Sequence, residues 1–334
     1  MATTPTQRML QPMLASEERR PPDGEGWAFE IKWDGVRALA HCDGEGGLLI
    51  QSRRGDDITA RYPELEALGK ALAGHRVVLD GEIVACDDEG RPSFQRLQLR
   101  MGLTSELSIQ RRAPLTPVTF MIFDLLELDG ASTLELPYGE RRALLEKLEL
   151  DGPNWQTPSY HLGDGQALLD AARERHLEGV VAKRLDSPYR PGRRSGEWIK
   201  VRNWRRQEFV IGGFMPGEGG RAGRVGSLLV GFYDSTPDEA RSLERPPLLV
   251  YAGGVGSGFT NEEIERLTRM LTARSRDATP FDVGAPKRRG ARFCEPNLVC
   301  EVQFSEWTHE GTVRQPSYKG LREDKNARKV VREQ

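Results

Sequence analysis

Long apolar runs are missing from this chain of 334 residues, and none approaches the roughly 20 residues that span a bilayer. Residues Met1–Gln11 also lack the apolar core of a secretory signal. The four cysteines include no C-x-x-C pair, so neither a zinc site nor a disulfide framework is indicated. These absences predict a protein of a reduced, cytoplasmic setting with no membrane partner.

A large excess of charge of either sign is also missing, because the net charge is -2. The net charge therefore does not by itself indicate a nucleic-acid partner. Short basic clusters could still follow phosphates, although each one alone is more often a solvated loop. The clusters are Arg111–Arg112, Arg193–Arg194, Arg205–Arg206 and Lys287–Arg289 with Arg292.

Length and a change in the pattern of predicted strands and helices indicate two domains, since one compact core rarely reaches 334 residues. Strands alternate with helices up to Asn203–Gln207. Short strands separated by glycine follow, with one helix that Thr260 caps and Glu263 completes as a capping box. We therefore expect domains at 1–205 and 206–334, the second a small barrel of the OB type.

One lysine, Lys32, follows a predicted strand and is surrounded by residues suited to covalent chemistry. A lysine amine becomes a nucleophile when burial or neighbouring cations lower its pKa. Arg37 would help to lower that pKa, whereas Asp34 would favour the charged form. Gly35 lets the backbone come close to a bulky ligand. Taken alone, this stretch is more often an ordinary surface strand end, so its interpretation depends on the rest of the chain.

A second stretch, Trp198–Arg202, predicts a basic strand face. Alternation along a strand places Trp198, Lys200 and Arg202 on the same side. Two cations at that spacing can grip one phosphate. An exposed basic strand would be the simpler interpretation if the stretch stood alone.

Five further segments carry side chains suited to a nucleotide. A carboxylate such as Glu178 is a ligand for the Mg²⁺ that accompanies a nucleoside triphosphate, and an arginine fork matches phosphate oxygens. Phe123 could stack on a base, although core packing is the commoner fate of such a residue. The segments are Ser52-Arg53, Asp80-Gly81-Glu82, Phe123-Asp124, Glu178–Lys183 and Arg322–Lys325.

Together, in order and spacing, these segments resemble the nucleotidyltransferase motifs of ATP-dependent DNA ligases. The finer resemblance is to the ligase module of bacterial Ku-associated end-joining ligases (ligase D type) and their stand-alone relatives. It is carried by Phe29–Gly35, Ser187–Arg190 and Lys319–Lys325. The resemblance implies an α+β fold with two domains, an antiparallel-sheet adenylation domain and a C-terminal OB-fold barrel.

The chemistry that the resemblance implies has three steps. Lys32 attacks the α-phosphate of ATP, which gives a lysyl-AMP and releases pyrophosphate. AMP then passes to the 5′-phosphate of nicked or broken duplex DNA, and the 3′-hydroxyl finally displaces it. Positioning and charge neutralisation carry such phosphoryl-group chemistry. Mg²⁺ or Mn²⁺ would accompany ATP.

The resemblance also assigns roles to single residues. Near the adenosine, Glu30 and the Ile31 backbone would contact the adenine, Phe123 would stack on it, and Glu82 would hold the ribose or, with Glu178, the metal. Arg194 would join Lys200 and Arg202 around the phosphate, and Arg37 and Arg53 would face the ribose or the nick phosphate. Lys183 would also belong to the nucleotide-binding residues. Arg322, Asp324 and Lys325 would close over ATP and orient the pyrophosphate, with a hinge at Asn203–Gln207.

Two departures from the family pattern bear on these expectations. Arg202 stands where the family has a second lysine, and arginine holds phosphate differently. The chain also shows no N-terminal helical DNA-binding domain and no polymerase or nuclease module. We therefore expect a minimal monomeric ligase of the bacterial nucleoid that grips DNA weakly by itself and has Ku as a candidate partner.

Other functions fit parts of the same pattern. An mRNA capping guanylyltransferase uses a similar lysine box and two domains, and an RNA ligase is a third enzyme of this kind. An NAD-dependent ligase is disfavoured because these four cysteines do not supply its zinc module. The non-enzymatic alternative is a nucleic-acid-binding OB protein with an inert partner domain, in which Lys32 would be dispensable.

Overall fold

The computed structural model describes residues 10–284, 286, 289–308 and 310–333. Lys287 and Arg288 of the last basic cluster lie outside these ranges. The chain divides into two compact units, Met1–Asn203 and Trp204–Gln334. In the described ranges, no helix has the length and apolar character needed to cross a membrane.

The first unit contains twelve strands and five α-helices among its described residues. The strands are β1 (Leu14–Glu17), β2 (Trp27–Ile31), β3 (Val36–Asp43), β4 (Leu48–Ser52), β5 (Arg76–Ala85), β6 (Val118–Leu128), β7 (Ala131–Ser132), β8 (Asp151–Gly152), β9 (Trp155–Gln156), β10 (His161–Leu162), β11 (Gly179–Arg184) and β12 (Arg194–Arg202). The helices are α1 (Glu66–Ala71), α2 (Phe94–Gln98), α3 (Glu106–Arg112), α4 (Tyr138–Glu146) and α5 (Gly165–Glu174).

These strands form two sheets. One has the order β1-β12-β11-β2-β10, and the other has the order β4-β3-β5-β6-β9-β8 with β7 beside β6. Most pairs are antiparallel, as expected, but β1 runs parallel to β12 and β9 runs parallel to β6. The proline-rich beginning of the chain supplies β1 to the edge of the first sheet.

Alternation along β3 separates two apolar layers of the first unit. Ala38 and Ala40 belong to a large buried cluster that also holds Leu68 of α1. Leu39 points the other way and packs with Phe123 of the same sheet and Trp198 of the other sheet. This second cluster therefore lies between the two sheets, where period-2 strands bury side chains on both faces.

The second unit contains six strands and two α-helices among its described residues. They are β13 (Arg205–Pro216), β14 (Val225–Tyr233), α6 (Pro237–Ser242), β15 (Leu249–Val255), α7 (Asn261–Thr272), β16 (Ser275–Arg276), β17 (Arg292–Phe304) and β18 (Ser317–Leu321). The order is β15-β14-β13-β17-β16, and β18 pairs with β17. The expected connection Asn203–Gln207 is shorter than predicted, because Arg205–Gln207 already belong to β13.

Backbone hydrogen bonds join β15 and the loop after it to the segment that contains β18. Val313 N–H donates to the Ala252 carbonyl at 2.8 Å, and Tyr318 N–H donates to the Ser257 carbonyl at 2.9 Å. Ala252 lies in β15 and Tyr318 in β18. The segment that contains β18 therefore lies against β15 and the loop after it, so the outer side of β15 is covered at these points.

The capping box predicted at Thr260 is only half formed. Thr260 accepts from the Glu263 N–H at 3.2 Å, but the Glu263 carboxylate accepts from the Tyr318 hydroxyl at 2.5 Å. A complete box lies instead at Thr236 and Glu239, where both hydrogen bonds are present. The Tyr318 hydroxyl, distant in sequence, outcompetes the local backbone group for Glu263, and sequence spacing does not reveal such a competitor.

Candidate active site

A pocket of about 230 Å³ lies in the first unit, between strands of its two sheets. Most of the predicted site residues line it, and they come from β2, β3, β5, β6, β11 and β12. The lining includes Glu30, Ile31, Lys32, Arg37, Arg53, Glu82, Phe123, Lys183, Arg194, Lys200 and Arg202. Trp33 and residues 12–15 also line the pocket, although no sequence pattern predicted them there.

Lys32 lies directly after β2, where its backbone N–H donates to the Gly179 carbonyl at 2.9 Å. Its Nζ is 2.5 Å from Glu178 Oε2, and the other oxygen of Glu178 is 3.4 Å from Arg202 Nε. One carboxylate therefore holds two cations of the pocket. Burial raises the pKa of the Glu178 carboxyl, and Asp34 adds to the rise while Lys32 opposes it.

Glu82 faces the same cations from β5, opposite Arg37 in the strand register. Burial raises the pKa of Glu82 to about 7, with Arg37 and Lys32 opposing and the Glu178 charge adding to the rise. Gly35 permits this approach, since a Cβ there would lie 2.2 Å from the Ile83 carbonyl oxygen and 2.9 Å from Glu82 Cγ.

Arg37 is anchored by a residue to which the sequence assigned no role. Asp80 is fully buried, and its carboxylate accepts from Arg37 Nε at 2.5 Å and from Arg37 Nη2 at 2.6 Å. The Tyr189 hydroxyl donates to the same carboxylate at 2.6 Å. The available signal was the two-residue spacing of Asp80 and Glu82, which places both on one face of a strand.

Lys183 forms a buried ion pair with Glu30. Its Nζ lies 2.8 Å from Glu30 Oε2, and the two side chains are only 2% and 3% exposed. The Tyr138 hydroxyl donates to the other oxygen of Glu30. Burial lowers the pKa of the Lys183 ammonium, although Glu30 opposes that shift. The ammonium also lies 4.2 Å from the centre of the Phe123 ring.

Phe123 is both a core residue and a residue of the pocket, the two alternatives that the sequence left open. The ring is 6% exposed and packs in the cluster between the sheets, and it also lines the pocket. Arg37 lies over it at 4.5 Å. Asp124, the next residue, points to the opposite side and forms a fully buried ion pair with Arg141 at 2.7 Å.

The remaining cations line the pocket from β12 and from the turn after β4. Lys200 Nζ is 3.0 Å from Glu17 Oε2, a partner that sequence reasoning missed. Arg194 is exposed and donates to the Ala15 carbonyl. Arg53 is exposed as well. Both Glu17 and Ala15 belong to β1, so this strand supplies contacts to the basic side of the pocket.

Arg322, Asp324 and Lys325 belong to the second unit, where they form an ion-pair cluster of their own. Arg322 contacts both Asp324 and Glu208 at 2.8 Å, and Lys325 contacts Glu208 at 3.3 Å. The hydrogen bond from Arg322 lowers the pKa of Asp324 to about 2. Glu208 was not predicted, because it lies more than a hundred residues earlier in the chain.

Comparison with known proteins connects this geometry to a family. The model of the ATP dependent DNA ligase domain matches residues 12–202, and that of the ATP dependent DNA ligase C terminal region matches residues 221–325. The chain is 45% identical, over 97% of its length and 40% of the relative, to the multifunctional non-homologous end joining DNA repair protein LigD of Mycobacterium tuberculosis. It is 32% identical, over 95% of its length and 56% of the relative, to a DNA ligase of Thermococcus onnurineus.

A solved structure of mycobacterial DNA ligase D complexed with ATP and MES is 42% identical, with a TM-score of 0.54, over 97% of this chain and 98% of that one. The chain spans about two fifths of the LigD protein that it matches. The family models cover both units, and the relatives agree with them. The resemblance found in the sequence is therefore confirmed: the chain belongs to the ATP-dependent DNA ligase family.

Proposed function

We propose that this chain seals 3′-OH/5′-phosphate nicks in duplex DNA through a covalent lysyl-AMP. The observation that carries the proposal is the position of Lys32 at a pocket lined by six further predicted cations from β3, β11, β12 and the turn after β4. They are Arg37, Arg53, Lys183, Arg194, Lys200 and Arg202. An amine surrounded by cations suits a nucleophile that must meet a polyphosphate.

In the first step, Lys32 Nζ forms a bond to the α-phosphorus of ATP, and the bond from that phosphorus to the pyrophosphate oxygen breaks. The amine gives up its proton, and Glu178 Oε2, at 2.5 Å, is a nearby acceptor. Lys200, Arg202 and Arg194 neutralise the charge on the phosphates. Charged groups held in place before the reaction stabilise such a transition state without further reorganisation.

The adenosine would lie on the aromatic side of the pocket. Phe123 would stack on the base, Glu30 and the Ile31 backbone would contact the adenine edge, and Glu82 would bind the ribose. The buried Lys183 fixes Glu30 for this role. Arg37 and Arg53 would face the ribose or the nick phosphate, and the bidentate contact of Arg37 with Asp80 fixes its direction.

A divalent cation fits the carboxylates of this pocket. No group of three or more metal-binding side chains occurs in the part of the chain that the structure describes. Mg²⁺ needs only one or two carboxylates when phosphates and water complete its shell. Glu178 and Glu82 would hold Mg²⁺ or Mn²⁺, which supplies charge neutralisation at the phosphates when bound.

We assign residues 1–205 to the adenylation domain and residues 206–334 to a domain of the OB type. The hydrogen bonds that join β15 to the segment of β18 support a closed barrel. Arg322, Asp324 and Lys325 would orient the pyrophosphate during self-adenylation. A hinge around Asn203–Gln207 would then let the second domain swing away and clamp DNA.

The relatives named for end joining support a role in DNA repair, with nicked or broken duplex DNA as substrate. Ku is the candidate partner, and we propose a monomer that acts in the bacterial cytoplasm, at the nucleoid. In the later steps AMP passes from Lys32 to the 5′-phosphate, and the 3′-hydroxyl then attacks that phosphate and releases AMP. Both steps use the same cationic pocket.

The decisive experiment compares the wild type with Lys32→Ala and with Lys147→Ala, which changes an exposed lysine of the same unit. Labelled ATP should form an acid-labile, hydroxylamine-sensitive adduct, as expected of a phosphoramidate, on the wild type and on Lys147→Ala only. Sealing of nicked DNA should be lost together with that adduct. Labelling by GTP alone would favour a capping guanylyltransferase, and activity retained in Lys32→Ala would overturn the proposal. Parallel assays on broken ends with and without Ku test the partner.

A further inference from the structure

The Glu17 carboxylate contacts Lys200, a proposed phosphate-binding residue, and the proposed function gives no role to this contact. Glu17 ends β1, which runs parallel to β12, and its register partner on that strand is Lys200. The carboxylate oxygen lies 3.0 Å from Lys200 Nζ. A hydrogen bond of 3.1 Å from the Glu18 N–H to the Lys200 carbonyl fixes the two strands at this point. The contact is therefore imposed by strand pairing as well as by charge.

The surroundings of Glu17 are otherwise cationic. Burial alone would raise the pKa of the Glu17 carboxyl, but Lys200, with Arg202 and Lys32 beyond it, holds that pKa below its usual range. Lys32 and Arg202 share the Glu178 carboxylate. Glu17 is thus the carboxylate that engages Lys200 in a group of cations suited to phosphates.

A carboxylate on Lys200 competes with a phosphate there. Both are anions that accept from the same ammonium, so the Glu17 carboxylate must leave before a phosphate can take its position on Lys200 Nζ. Its side chain is 44% exposed, so it has room to leave without exposing a buried core. The contact can therefore give way when a stronger anion arrives.

We propose that Glu17 takes the place of a phosphate on Lys200 and is displaced when a polyphosphate enters, so that it sets how tightly the site holds ATP and pyrophosphate. This inference rests on the proposed function, in which Lys200 binds phosphate. Glu17 acts through Lys200 and is a positioning residue. Its effect is to weaken binding of the product pyrophosphate and thereby to favour its release after self-adenylation.

The direct test uses inorganic tripolyphosphate, whose binding is measured by titration calorimetry. Glu17→Gln should bind it about threefold to tenfold more tightly than the wild type, a range set by the partial exposure of the pair. The difference should shrink at high salt because screening weakens exposed charges. The matched control is Glu18→Gln, which removes the same charge one residue further along on an exposed side chain and should stay within about twofold of the wild type.

A double variant shows whether the effect passes through Lys200. In the Lys200→Met background, Glu17→Gln should change tripolyphosphate binding by less than about twofold, since the competed contact is gone. Tighter binding in both backgrounds would overturn the proposal, as would a Glu17→Gln variant that binds like Glu18→Gln or more weakly than the wild type. Melting temperatures of all variants confirm that folded proteins are compared.

Self-adenylation separates this inference from the proposed function. Glu17→Gln should lower the KM for ATP by a factor similar to the gain in tripolyphosphate affinity, whereas Glu18→Gln should not. A wild type that forms no adduct with ATP would reject the proposed function. The tripolyphosphate comparison would still decide whether Glu17 competes for Lys200.

Discussion

Glu178 and Lys32 are joined across 2.5 Å, although 146 residues separate them in the chain. The contact exists because β2 and β11 are neighbours in an antiparallel pair, with Glu30 opposite Val181. Lys32 lies just beyond one end of this pair and Glu178 just beyond the matching end. Strand register therefore brings the nucleophile and its carboxylate together.

Glu178→Gln should slow self-adenylation by about 100-fold, a loss typical of removing one positioned acid–base group. The amide keeps the size of the side chain but removes the negative charge that pairs with Lys32 and Arg202. The rate is measured as single-turnover labelling with ATP. Glu174→Gln, at an exposed position of α5, is the control and should label normally. A Glu178→Gln variant that labels at the wild-type rate would remove Glu178 from the mechanism.

The buried pair of Lys183 and Glu30 predicts strong coupling between two variants. Either Lys183→Met or Glu30→Gln alone should destabilise the fold by about 3–5 kcal/mol, because each leaves a buried charge without its partner. The double variant should recover much of that loss. Denaturant unfolding of all four proteins measures the coupling free energy, and strictly additive effects would contradict the pair.

The same lysine predicts a pH dependence. Burial lowers the pKa of Lys183 in the folded protein below the value of about 10.4 for an unfolded lysine. Between those values the unfolded chain binds more protons, so the stability contributed by this residue rises with pH. The difference in unfolding free energy between the wild type and Lys183→Met should therefore increase from neutral pH towards pH 10. A difference that falls over this range would contradict the direction of the shift.

The sequence predicted most of the pocket because its motifs fall on strands whose alternation sets the direction of each side chain. Phe123, Lys200 and Arg202 could all be placed in this way. Partners from distant segments could not be predicted. Glu17 meets Lys200 only because the proline-rich beginning of the chain adds a parallel strand, and Glu208 meets Arg322 only through the folding of the second unit. Such pairings depend on topology, which local spacing does not encode.

Asp80→Asn tests a residue that the sequence left without a role. The carboxylate is fully buried and accepts from Arg37 twice and from Tyr189 once. The neutral amide leaves the charge of Arg37 without a carboxylate partner. Because the Arg37 side chain is 21% exposed, we expect the free energy of unfolding to fall by about 2–4 kcal/mol, somewhat less than for a fully buried pair. Denaturant unfolding measures it. Asp88→Asn, whose side chain is 84% exposed, should change stability by less than about 1 kcal/mol.

Arg322→Ala should separate the first step from the later ones. If Arg322 orients the pyrophosphate, its loss should slow labelling by ATP about 10-fold to 100-fold, since an interaction made only in that transition state disappears. Sealing of a nick that already carries AMP needs no pyrophosphate and should change less than about threefold. Arg266→Ala is the control, because Arg266 pairs with Glu323 in the same unit but is not among the residues proposed to orient the pyrophosphate. Equal losses in both assays would mean that Arg322 supports the fold of the second unit or DNA binding, and the role assigned to Arg322, Asp324 and Lys325 would then be wrong.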